Sequence, residues 1–93
     1  MALNHTNITV GTTPTLLVTI PNGAGYVAVQ VNNRDLAAVF LGDNAVTNTV
    51  GVSGGQNVAA NATVQIWMHG NDSLYAVSAA GTSAGAVSVI YSA

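Results

Sequence analysis

Thr63 to Ala79 reads TVQIWMHGNDSLYAVSA: two runs of alternating apolar and polar residues around Gly70-Asn71-Asp72-Ser73. A side-chain period of two belongs to a strand, and Gly, Asn, Asp and Ser are turn residues. The stretch therefore reads as two strands and a tight turn. With Asn71-Asp72 as a two-residue loop, Gly70 faces Ser73, His69 faces Leu74, Met68 faces Tyr75 and Trp67 faces Ala76. One face then carries Val64, Ile66, Met68, Tyr75 and Val77 as core. The other carries Gln65, Trp67, His69, Leu74, Ala76 and Ser78.

The same alternation extends in both directions. Val27, Val29 and Val31 share a face of YVAVQVN, and Val87, Val89 and Tyr91 share a face of AVSVIYS. Turn clusters fall between the runs, at 11–14, 21–25, 32–35, 42–44, 53–57, 70–73 and 81–85. No window sustains a helical period. Strands are expected at 3–10, 15–20, 26–32, 37–41, 46–52, 62–69, 74–79 and 86–92. A strand every 8–12 residues or so signals a sandwich or small barrel. The expected fold is all-β: one antiparallel β-sandwich, jelly-roll-like or a small barrel, of about eight short strands. Residues 1–10 are expected to be an N-terminal arm or edge strand, one that adds to a neighbour or lies on the surface of a larger assembly, and residues 11–93 the sandwich domain.

Ninety-three residues make one domain, and a lone chain of this size has a modest stability margin. There is no cysteine, hence no disulfide, thiolate metal site or cysteine nucleophile. Arg34, Asp35, Asp43 and Asp72 are the only charged side chains, 4% of the chain against roughly 25% in an ordinary domain. One arginine cannot neutralise a run of phosphates, which argues against nucleic acid as a partner. A surface of amides, hydroxyls and small apolar groups suits contact with other protein. The opening MALNHTNITV has neither the basic start nor the apolar core of a secretory signal. Ser73 to Ala93 is uncharged and contains Gly81-x-x-x-Gly85, but Ser, Thr and Gly interrupt it too often for a membrane span.

Chemistry is sparse. His69 and Asp72 with Ser73 or Ser78 could suggest a triad, yet Asp72 occupies a turn position where aspartate caps its own backbone. His5 and His69 are far apart, and the aspartates fall in separate turns without metal-ligand spacing. Arg34-Asp35 reads as an exposed turn pair worth little. The glycines of GVSGG and GTSAG lack the following helix and lysine of a phosphate loop. No catalytic, metal or cofactor residues are expected, and the chain is read as non-enzymatic. Trp67, flanked by Gln65 and His69, suits protein contact, cover within the fold, or sugar stacking. Phe40 is expected in the core. The expected protein-contact residues are Trp67, His69, Leu74, Leu3, His5 and Tyr26.

Five features in order carry a resemblance. Leu41-Gly42 ends a strand, Val46-Thr47 follows, then Val64-Gln65-Ile66, then Asp72 to Val77 (DSLYAV), then Gly85 to Ile90 (GAVSVI). Over residues 26–92 this resembles small β-sandwich virion proteins of tailed bacteriophages: capsid decoration or head-stabilising proteins, head fibres and tail modules. The resemblance implies a structural virion role. A free-standing module of this size points to decoration rather than to a fibre, where such modules are appended to longer chains. It further implies trimers on the outer capsid surface, assembled in the host cytoplasm, with the major capsid protein and other copies of the chain as partners. Neither nucleic acid nor membrane is implied. The alternative is a tail or fibre adhesion module that binds host surface glycan through Trp67 with Tyr26 or Tyr75.

Overall fold

The computed structural model describes residues 2–48 and 54–93. Among the described residues eight strands form: β1 (Leu3–Ile8), β2 (Thr15–Thr19), β3 (Tyr26–Asn33), β4 (Val39–Gly42), β5 (Gln56–Val58), β6 (Thr63–His69), β7 (Ser73–Ser78) and β8 (Val87–Ser92). They make two four-stranded antiparallel sheets, ordered β1-β8-β3-β6 and β2-β7-β4-β5. Four of the pairings are nested: β1 with β8, β2 with β7, β3 with β6, and β4 with β5. The chain is thus one long hairpin, closed at the β4–β5 end and rolled until β3 meets β8 and β4 meets β7. That is the jelly roll.

The rolling follows from the alternation. Val27, Val29 and Val31 of β3 and Val87 and Val89 of β8 turn to one side of the first sheet and are buried. Val39 and Leu41 of β4, Val58 of β5, and Leu74 and Ala76 of β7 meet them from the second sheet. Each such valine or leucine withdrawn from water contributes on the order of 1.5–3 kcal/mol. In β2 the register slips between Leu16 and Val18, so Leu17 and Val18 are both buried. A bulge thus gives a short strand two consecutive core residues.

Three expectations are corrected here. The strand expected over 46–52 falls partly, at 49–52, outside the described residues. Its described part is a turn ending in a single parallel bridge, Thr47 to Gly54, and the fifth strand is Gln56–Val58. At Gly55 the chain passes so close to the Leu41 carbonyl that a Cβ would collide with it.

The hairpin register assigned to 63–79 does not form, because β6 and β7 belong to different sheets. The turn itself is present: the Asp72 amide donates to the His69 carbonyl at 3.0 Å, and Asn71 has φ 73°. The chain leaves it by crossing over the core, with the Asn71 amide bonded to the Ile20 carbonyl. Leu74, Ala76 and Ser78 therefore point inward, and Tyr75 and Val77 take the opposite side. Phe40 shares that opposite side, half-buried and paired with Val77, and is not in the core cluster.

Candidate functional site

The first sheet has a second face that no other element among the described residues covers, and register aligns it in rows. Tyr26 pairs with His69, and Ala28 pairs with Trp67. Gln65, Gln30, Ile90 and His5 form the next row, and Thr63, Asn32, Ser88 and Asn7 the one after. Leu3, beside Ser92, completes the β1 side. Leu3, Tyr26 and Trp67 are 72%, 77% and 66% exposed, and Ile90 is 40% exposed. Large apolar groups this open occur singly on most proteins; here four share one face of one sheet.

No charged side chain lies in these rows. Arg34 follows the end of β3, and Asp72 sits in the turn after β6. Polar groups on the face are partly bound to one another. Asn32 Nδ2 donates to Thr63 Oγ1, and Ser88 Oγ donates to Asn7 Oδ1 at 2.8 Å. Tyr26 and His69 meet edge to face, ring centroids 4.8 Å apart at 79°.

Five of the six expected contact residues, Trp67, His69, Leu3, His5 and Tyr26, share this one face, contributed by three strands. Leu74 is corrected: it is buried in the core from the second sheet. Ile90, in the middle of the face, was missed. Its signal was its position between Val89 and Tyr91, with parity opposite to the buried valines of β8.

The chain's three carboxylates are engaged with turn backbone. Asp72 Oδ2 accepts from the His69 amide at 2.8 Å, and Asp43 Oδ1 from the Ala45 amide at 3.0 Å. The His69 ring lies against the Gly70 carbonyl, with Nδ1 at 3.4 Å. Asp35 is corrected from an exposed turn residue to a buried one. Its Oδ1 accepts from the Ser83 amide at 3.1 Å and its Oδ2 from the Ala37 amide at 3.3 Å. The Ser83 amide is the main cause that holds this carboxyl below its usual range; partial burial opposes it.

Asn33 is fully buried beside it. Its Nδ2 donates to the carbonyls of Ala37 and Val58, both at 2.9 Å, and its Oδ1 accepts from the Asp35 amide. Asn33 and Asp35 therefore tie the end of β3 to β5 and to the loop before β8. Among the described residues no three His, Cys, Asp or Glu side chains converge as metal ligands, and no helix is long and apolar enough to cross a membrane.

Comparison with protein-family models, curated proteins and solved structures finds no match.

Proposed function

We propose that this chain is a non-enzymatic structural protein of a tailed-phage virion, which decorates and stabilises the capsid through the open face of its first sheet. The observation that carries the reading is that face: without a charged side chain in its rows, and set with Leu3, Tyr26, Trp67 and Ile90 exposed. The jelly roll is in keeping with it, being common among viral capsid domains, although lectins use it too and fold alone does not choose.

In this reading the partners are the major capsid protein and other copies of the chain, grouped as trimers on the outer surface. Each contact is weak by itself. Repetition by symmetry makes it count several times, clamping neighbouring capsomers against internal pressure.

The test is co-sedimentation with empty, expanded capsids of the cognate phage, alongside binding to host surface glycans. The expected result is that the protein pellets with capsids and ignores glycans, and that Trp67→Ala weakens pelleting roughly tenfold, one hot-spot aromatic. Exposed Trp67 and Tyr26 beside Gln65 and Gln30 would also serve a sugar. Glycan binding lost in Trp67→Ala, with no capsid binding, would transfer the assignment to the adhesion module.

A further inference from the structure

We infer that copies of this chain join edge to edge, the free edge of β6 in one copy pairing with the free edge of β1 in the next. The two sheets treat their edges differently. In the second sheet, β5 is only three residues long, and β2 is bulged and follows Pro14. Short strands, bulges and nearby prolines are the usual protection against unwanted pairing. The first sheet has none of these. Its edges, β1 of six residues and β6 of seven, carry no proline, charge or bulge.

The hydrogen-bond phase shows which groups are free. Ala2 and Ala93 exchange both main-chain bonds, so Asn4, Thr6 and Ile8 turn toward β8 while Leu3, His5 and Asn7 turn outward. On the other edge the Asn33 amide bonds to the Ala62 carbonyl and the Gly70 amide to the Gly25 carbonyl. Val64, Ile66 and Met68 are therefore turned to β3, and Thr63, Gln65 and Trp67 outward. His69, next in that series, is already occupied by Asp72. Each edge thus offers a matching set, Leu3, His5 and Asn7 against Thr63, Gln65 and Trp67.

Polarity agrees as well. Successive strands in the order β1-β8-β3-β6 are antiparallel, so a β1 placed beside β6 by continuing the sheet is antiparallel to it. Antiparallel pairing sets Trp67 against Leu3 of the second copy, Gln65 against His5, and Thr63 against Asn7. An apolar pair and two hydrogen-bonding pairs then face each other, with no charge to oppose them. The contact is heterologous, using a different edge on each copy, and a ring closes it. The open faces of the joined sheets would then form one continuous platform. This supplies the self-contact of the virion reading, but it is tested on purified protein alone, so either can fail without the other.

The test uses two variants, Gln65→Pro and His5→Pro, at positions whose amides point away from the sheet, where proline is tolerated. By sedimentation, the wild-type chain is expected to be an oligomer and each variant a monomer. Mixed together, the two variants should form a one-to-one heterodimer through their remaining intact edges. A monomeric wild type, a His5→Pro variant that keeps the wild-type mass, or variants that stay monomeric when mixed would overturn the proposal. Should a variant fail to fold, amide exchange on the wild type decides. The amides of Leu3, His5, Asn7, Thr63, Gln65 and Trp67 should slow roughly tenfold or more as concentration rises. Exchange independent of concentration would equally overturn it.

Discussion

Asn33 does more for this fold than any charged residue. It stands where β3 ends, fully buried, with both side-chain termini bonded to main chain, in the loop before β4 and at the end of β5. Removing it takes a donor from the Ala37 and Val58 carbonyls and leaves the Asp35 amide without its acceptor, and unmade buried hydrogen bonds cost more than made ones contribute. Asn33→Ala is therefore expected to lower stability by about 2–4 kcal/mol in urea unfolding, well above a surface substitution. Ser78 presents the converse case. Its Oγ is buried without a partner, so Ser78→Ala should leave stability unchanged or raise it by about 1 kcal/mol.

Asp35, beside Asn33, gives the fold a pH dependence. Its carboxyl is held below its ordinary value chiefly by the Ser83 amide, so the folded state favours the ionised form. That contribution is complete above the unfolded-state pKa, about 3.9, and is lost as pH falls below it toward the folded value. Melting temperature should therefore drop on acidification below about pH 4. Asp35→Asn should melt lower at neutral pH and show a flatter profile. An equally steep acid profile in Asp35→Asn would assign the effect elsewhere.

At the scale of elements, the decisive event is the crossing of the chain from β6 to β7. A tight turn between two alternating runs ordinarily returns the chain beside itself, and local sequence contains nothing to say otherwise. Here the turn at Gly70–Ser73 instead carries the chain to the other sheet, and β7 pairs with β2 and β4. Paired directly with β6, β7 would place Leu74 beside His69 on the open face. Crossing the core places it inside, 7% exposed. Leu74→Ala should then cost about 2–4 kcal/mol, whereas Trp67→Ala should stay within about 0.5 kcal/mol. Equal costs would mean that the two share a face after all.

This contrast also marks what the sequence can reveal. Alternation is local, so every strand but β5, the buried valines of β3 and β8, and the face of β6 could be read from it. Which strand lies beside which is set by distant pairings such as Leu3 with Ser92, and no short window encodes those. The open face was legible strand by strand, as Tyr26, Trp67, His69, His5 and Leu3, but its assembly into one surface required the order β1-β8-β3-β6. Asp35 was misread because a turn carboxylate normally faces water. Its partner Ser83 lies 48 residues away.

For the whole molecule, two surfaces of different kinds emerge from one sheet. Its edges carry main chain left unpaired among the described residues, the contact proposed for a second copy; its open face carries apolar side chains without charge, the contact proposed for the capsid. The chain has so few charges that neither surface is guarded by repulsion. Trp67 belongs to both, at the β6 edge and on the face, and it is the chain's only tryptophan. It is therefore a built-in reporter. With Trp67 replaced by 5-hydroxytryptophan, its emission can be excited apart from the tryptophans of a capsid. The measurement is acrylamide quenching of that emission, in the free oligomer and after binding to empty, expanded capsids. Docking through the open face predicts strong quenching before binding and clear shielding after it. Protein bound to capsids with its indole still as quenchable as before would contradict the account.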